Sequence, residues 1–266
     1  MTRKLVVITG ASAGIGAAFA RAYAARGWDV ALTARREDRL IALRDEIMQR
    51  YGVTAHAIAA DLADANGPTA ILAGLDGLGL MADGLVNNAG YGLNGNFTQT
   101  RWEEQAAFLQ VLAHAPTHLA HALLPGMLER RFGRIINVAS LAGLVPGGPG
   151  LTLYGAVKAY MIKFSQSLNQ ECLGTGVHVS ALCPGYTRSE FHAASGMEGS
   201  ISRLPGFMWQ KAEAVVEGAI AAVDRNQSIF VSGNVNKGLA VLGRLLPDPV
   251  GETLVRRQSR NFHKMD

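Results

Sequence analysis

Seven short apolar or β-branched runs, at 5–9, 29–33, 55–60, 84–87, 134–138, 178–183 and 228–231, alternate along the chain with longer stretches of helical periodicity. This alternation constrains the fold most, because strands separated by helices run parallel and a parallel sheet needs both faces covered. Helices are expected at 15–26, 37–51, 68–74, 102–130, 154–173 and 212–225. The predicted fold class is therefore α/β, a doubly wound seven-stranded parallel sheet with right-handed crossovers, forming a single domain over residues 1–266. A hydrophobic content of 48% against 17% charged residues supplies the core that such a domain buries.

Ligands of doubly wound sheets bind beyond the carboxyl ends of the strands, and the conspicuous residues of this chain fall there. After the first run comes Thr9-Gly10-Ala11-Ser12-Ala13-Gly14-Ile15-Gly16, where a strand turns into a helix. Gly10 permits the tight turn, Gly14 leaves room for close approach of a diphosphate, and Gly16 lets the helix pack closely on the strand. The helix start at Ile15 offers free N–H groups to phosphate oxygens. Farther on, Tyr154 and Lys158 lie one turn apart on one helix face. The ammonium is expected to lower the phenol from its ordinary pKa of about 10, giving an acid that can protonate a carbonyl oxygen.

The remaining features mostly exclude. Net charge is +4, and the cluster Arg256, Arg257, Arg260 and Lys264 is not interleaved with aromatics, so no nucleic-acid partner is expected. No apolar stretch has the length of a membrane span, and stable membrane association is not expected. Cys172 and Cys183 make no disulfide framework, which suits a cytoplasmic protein. His114, His118 and His121 share a helix face, but Pro116 interrupts their spacing and no Glu follows the first, so no metal site is expected. Residues 186–206, rich in Gly, Ser and Met, read as a substrate lid. From about residue 233 a C-terminal extension follows, with an apolar stretch from Asn236 to Leu246 read as a helix packed on the domain or on a neighbouring subunit.

Taken in order, Thr9-Gly-x-x-x-Gly14-x-Gly16, Asn87-Asn88-Ala89-Gly90, Ser140, Tyr154-x-x-x-Lys158 and Pro184-Gly185 resemble the short-chain dehydrogenase/reductase family over nearly the whole chain. The resemblance implies a Rossmann-like domain, a nicotinamide cofactor, a small-molecule carbonyl or alcohol substrate, and a homodimer or homotetramer. By it Ser140 holds the substrate oxygen, Tyr154 is the general acid or base, and Lys158 binds the nicotinamide ribose while holding the tyrosine's pKa down. Asn88, Ala89 and Gly90 border the cofactor, Asp61 and Leu62 resemble the adenine-contacting pair, and Pro184, Gly185, Thr187 and Ser189 lie toward the nicotinamide carboxamide. Two preplaced hydroxyl donors suit the negative charge that hydride delivery builds on a carbonyl oxygen. Tyr91, Leu93, Leu144, Phe191, Met208 and Trp209 flank this site in sequence and suggest an apolar pocket.

Where an NAD-preferring fold places an acid after the second strand, this chain reads Thr33-Ala34-Arg35-Arg36. Arg35, helped by Ser12 and Arg36, could reach a 2′-phosphate, so NADP(H) is expected over NAD(H). One position departs from the family pattern. Members carry an asparagine in the long helix before the fifth strand, where it holds a water of the proton relay behind the lysine; aligning Ala115-Pro116 and Leu124-Pro125 puts Leu112 there. Either Gln110 or His114 completes the relay, or turnover is slow, or the alignment slips by two residues, or the chain binds cofactor in a structural or regulatory role. An epimerase or dehydratase is disfavoured, since those relatives resemble Thr-Gly-x-x-Gly-x-x-Gly.

Overall fold

The computed structural model describes residues 3–93, 95–188, 205–247, 249–253 and 255. Each of the seven predicted runs is a strand: β1 Leu5–Thr9, β2 Asp29–Ala34, β3 Ala55–Ala59, β4 Gly84–Asn87, β5 Gly133–Val138, β6 Val177–Cys183 and β9 Ile229–Val231. They form one parallel sheet in the order β3-β2-β1-β4-β5-β6-β9. The chain direction across the sheet reverses between β1 and β4, which opens the binding crevice beyond Thr9 and Asn87. Two further strands of two residues each, β7 Thr187–Arg188 and β8 Gln210–Lys211, pair with each other and have no counterpart in the sequence reading.

Alternate residues of β1 supply two cores. Val6 and Ile8 pack under α1 (Gly14–Ala24), α2 (Glu37–Tyr51) and α7 (Ala212–Asp224). Leu5 and Val7 pack under α3 (Gly67–Gly77), α4 (Trp102–Leu109), α5 (Ala115–Glu129) and α6 (Thr152–Glu171). With both faces covered, β1 has no polar face, and all five of its residues are buried.

The predicted helix 102–130 is a correction: α4 and α5 are separated by a π-helical turn, Gln110–His114. Pro116 is the physical reason. It has no N–H to donate to the carbonyl of Leu112, and in an α-helix its ring would collide with that carbonyl. The wider turn relieves both, with the Ala115 N–H donating to Gln110 instead. The expected C-terminal helix is present as α8, Asn234–Leu245. It packs on the domain: a Cβ on Gly243 would lie 3.1 Å from the Leu144 carbonyl oxygen, and one on Gly185 would meet Asn236 at 2.4 Å. Among the described residues no helix is long and apolar enough to cross a membrane, and no three His, Cys, Asp or Glu gather as metal ligands.

Candidate active site

The glycine loop is stitched to the end of β4 by side chains. The Thr9 hydroxyl accepts from the backbone N–H groups of Asn88 (2.9 Å) and Ala89 (3.0 Å). The Asn88 amide donates back to the carbonyls of Thr9 (2.9 Å) and Gly10 (3.2 Å). Gly10 (φ 66°) and Gly14 (φ 55°) occupy the left-handed region, which only glycine enters without strain. Gly16 packs against the loop itself: a Cβ there would lie 2.2 Å from the Gly10 oxygen and 2.6 Å from Asn88 Nδ2. Helix α1 starts at Gly14 with no side chain capping it, so the N–H groups of its first turn face the crevice as donors with a positive dipole end. That donor set fits the diphosphate of a dinucleotide.

Arg36 Nη2 donates to Ser12 Oγ at 3.0 Å, which carries the guanidinium over the glycine loop. Arg35 is exposed at the end of β2. Burial pushes the Tyr91 phenol up, Arg35 opposes this and Asp61 adds to it, so Arg35 and Asp61 both lie near that ring. The acids that follow, Glu37 and Asp38, sit in the first turn of α2, where the helix dipole stabilises them. Leu62 is buried beside Asp61.

Ser140 follows β5 in extended backbone (φ −167°), and its hydroxyl accepts from the Ala142 N–H at 3.1 Å. The flanking backbone is pinned to the end of β6 by Ala139 N–H to Leu182 (2.7 Å) and Leu141 N–H to Pro184 (2.9 Å). Gly143, which sequence reading missed, lets this turn lie directly on α6; a Cβ there would sit 2.6 Å from Ala159 N. The turn thus brings Ser140 and Tyr154 into a side-chain hydrogen bond. Tyr154 rests in an aromatic setting, its ring 6.5 Å from Phe108, which meets Tyr91 edge-on at 5.5 Å.

The expected coupling of Lys158 to Tyr154 is a second correction. Burial pushes the Tyr154 phenol up, and what opposes this is the hydrogen bond from Ser140. The Lys158 ammonium stands 5.7 Å from the Tyr154 ring centroid and donates to the Val138 carbonyl at 2.7 Å. Burial itself lowers Lys158 from 10.5 to about 8.

A depressed lysine binds its proton less tightly in the native chain than in the unfolded one, so between pH 8 and 10.5 the unfolded state holds more protons and stability rises with pH. At neutral pH the buried ammonium costs about 3 kcal/mol. Lys158→Met is therefore expected to stabilise the protein without cofactor at pH 7.5, and most of that advantage should vanish by pH 10. Urea unfolding of both proteins at the two pH values checks this; an advantage independent of pH would contradict it.

A cleft beside Tyr154 is lined by Leu93, Phe97, Phe108, Leu151 and Leu153 together with the polar Thr100, Gln105 and Thr152. Of the expected pocket residues that are described, only Leu93 lines it. Tyr91 packs behind Phe108, Leu144 packs beside Met161 and Ile162, and Trp209 pairs with Tyr186 at 5.7 Å near Met208. Leu151 and Leu153 were missed although they immediately precede Tyr154, and Phe108 lies one turn before Leu112. Gly90 packs on Leu112, and Gly185 packs on Asn236. Thr187 is buried, its hydroxyl donating to the Gly185 carbonyl at 3.2 Å. Ser189, Phe191 and most of the expected lid lie outside the described residues. The His114 and His118 rings stand 6.2 Å apart on the surface.

The short chain dehydrogenase sequence model matches residues 4–198. The chain belongs to that family. It is 39% identical over 188 residues, 70% of its length and 73% of the relative's, to a sulfoacetaldehyde reductase of Chromohalobacter salexigens. Among solved structures it is similar to a short-chain dehydrogenase from Sphingobium yanoikuyae in complex with NADPH, at 32% identity and a TM-score of 0.80, covering 91% of this chain and 93% of that one. It is also similar to the bulky-bulky ketone specific alcohol dehydrogenase from Comamonas testosteroni, at 29% identity and a TM-score of 0.78, with 92% of each chain covered. The protein is thus an oxidoreductase enzyme of the short-chain dehydrogenase/reductase type.

Proposed function

We propose that this enzyme reduces apolar ketones or aldehydes with NADPH, and oxidises the corresponding alcohols in reverse. One observation carries the reading: the Ser140–Tyr154 hydroxyl pair adjoins a cleft with Leu93, Phe97, Phe108, Leu151 and Leu153 in its walls, on a fold whose glycine loop is overhung by Arg36. When bound, the nicotinamide supplies a hydride to the carbonyl carbon. Ser140 holds the carbonyl oxygen and Tyr154 donates its phenolic proton to it, so developing charge is met by two donors already in place. Lys158, Asn88, Ala89, Gly90, Pro184, Gly185, Thr187 and Ser189 are assigned to the nicotinamide half, and Gly10, Ser12, Gly14, Ile15, Gly16, Asp61 and Leu62 to the diphosphate and adenosine. The leucine and phenylalanine walls of the cleft support an aromatic or branched aliphatic substrate, and similarity to an NADPH-bound short-chain dehydrogenase and to a bulky-bulky ketone specific alcohol dehydrogenase is consistent with this choice. Assembly as a homodimer or homotetramer belongs to the same reading, with exposed Leu128 of α5 and Tyr160 of α6 as apolar surface for it. Two buried cysteines outside any disulfide, Cys172 and Cys183, suit a cytoplasmic setting.

The cofactor assignment has its own test. Arg36 and Arg35 are placed to meet a 2′-phosphate that NADH lacks, and a hydrogen bond to a charged group is worth about 1.5–3 kcal/mol. Arg36→Ala is expected to raise the KM for NADPH about tenfold or more with that for NADH nearly unchanged, and Arg35→Ala to act in the same direction. Equal effects on both cofactors would refute the preference.

A further inference from the structure

The leucine and phenylalanine walls of the cleft beside Tyr154 are interrupted by Gln105, a residue only 4% exposed. It lies on α4 three residues before Phe108, on the same helix face, and the Phe108 ring stands 6.5 Å from that of Tyr154. Gln105 Nε2 donates to the Phe97 carbonyl (2.8 Å) and to Thr100 Oγ1 (2.6 Å). A carbonyl oxygen only accepts, so the amide atom facing Phe97 is the nitrogen, and the orientation of the amide is fixed. The Thr100 hydroxyl gives its own proton to the same Phe97 carbonyl at 3.3 Å, so it accepts from Gln105. Both amide protons are thereby used. Oε1 is left buried with no partner among the described residues. Buried acceptors are normally satisfied, and this one belongs to a wall of the cleft where the substrate is expected.

We propose that Gln105 Oε1 accepts a hydrogen bond from the substrate, so that the enzyme prefers carbonyl compounds whose apolar body carries a neutral O–H or N–H donor at the end away from the reacting carbonyl. The two ends of the cleft set this pattern. Tyr154 marks the carbonyl end, Phe108 offers a ring for the apolar body, and Gln105 lies about 4.5 Å farther along α4. The donor is neutral because no charged side chain lines the cleft among the described residues, and an ionised substituent would lose its water without gaining a counter-ion. A cleft with every polar group satisfied would favour a methyl over a hydroxyl at that end. An unpartnered acceptor reverses the order, since the analogue without the donor leaves Oε1 unpaired. This inference rests on the reading of Ser140 and Tyr154 as the carbonyl site.

The test compares para-hydroxyacetophenone with para-methylacetophenone, which matches it in size, and with para-methoxyacetophenone, which matches its electronic effect on the carbonyl but has no proton to donate. With NADPH the wild-type kcat/KM is expected to be about tenfold or more higher for the hydroxyl ketone than for either analogue. Equal values, or a preference for the methyl or methoxy ketone, would overturn the proposal. In Gln105→Leu the preference should disappear or invert. The variant also loosens the loop held at Phe97 and Thr100, but all three ketones meet the same altered loop, so the ratio isolates the lost acceptor. A preference for the hydroxyl that survives in Gln105→Leu means that another group accepts it, and the proposal falls. If that variant does not fold, a crystal structure of the wild type with para-hydroxyacetophenone decides: the hydroxyl is expected on Gln105 Oε1, and a hydroxyl bonded elsewhere is the contrary result. If none of the ketones is reduced, the functional reading fails by itself, and calorimetric binding judges Gln105, with at least tenfold tighter binding of the hydroxyl ketone than of the methyl ketone expected and equal binding overturning the proposal.

Discussion

Tyr154→Phe is expected to lower kcat for ketone reduction by roughly 10²- to 10⁴-fold, the usual contribution of a positioned general acid. The substitution removes one oxygen. The ring keeps its contact with Phe108, and Ser140 keeps its bond from Ala142, so the fold should lose only about 1 kcal/mol for the broken hydrogen bond. NADPH affinity, measured by fluorescence titration, is expected to change less than about threefold, because the glycine loop and Arg36 lie elsewhere. Activity that survives in the Phe variant would mean that another group delivers the proton. The pH dependence has a definite sign. Burial raises the phenol, so the protonated form that reduction needs persists to higher pH than a free tyrosine would allow, and reduction should fall only on the alkaline side. Alcohol oxidation needs the phenolate and should rise over the same alkaline range.

Gly16→Ala is expected to be the most damaging single-carbon change in the cofactor half. The added Cβ would sit 2.2 Å from the Gly10 oxygen and 2.6 Å from Asn88 Nδ2, and neither is the end of a flexible side chain with room to swing. Asn88 Nδ2 is committed to the carbonyls of Thr9 and Gly10, so moving it breaks the stitching that shapes the loop. Overpacking of this kind costs typically about 1–3 kcal/mol in stability. The larger effect is on binding: a shift of the loop misdirects the first-turn N–H groups of α1, and NADPH affinity should drop by about tenfold or more. Thermal unfolding and cofactor titration measure the two separately. Normal NADPH affinity in a folded Gly16→Ala protein would show that this close approach does not shape the site.

The sheet was readable from sequence because each strand is a short run dominated by apolar or β-branched residues and bounded by a turn, and the central strands β1 and β4 are buried throughout. The catalytic and glycine motifs were readable because they are local. The break at Pro116 was not, since the apolar spacing continues through the π turn and only the ring's collision with the carbonyl of residue 112 forces the wider turn. Gly143 looked like any loop glycine until α6 was seen to lie against it. The error over Lys158 had a different source. Spacing brought the two residues onto one helix face, but the long lysine side chain runs to Val138, and burial outweighs proximity for both groups. Gln105 Oε1 becomes conspicuous only when the hydrogen bonds to Phe97 and Thr100 are followed in three dimensions.

The central claim is that this chain moves a hydride between NADPH and an apolar carbonyl. The most direct measurement is the rate of NADPH oxidation, and separately of NADH oxidation, with a panel of aryl and branched aliphatic ketones and aldehydes, the alcohol product being quantified alongside. The account predicts stoichiometric alcohol formation with turnover several-fold faster on NADPH than on NADH. Tight NADPH binding with no alcohol formed from any member of the panel would contradict it.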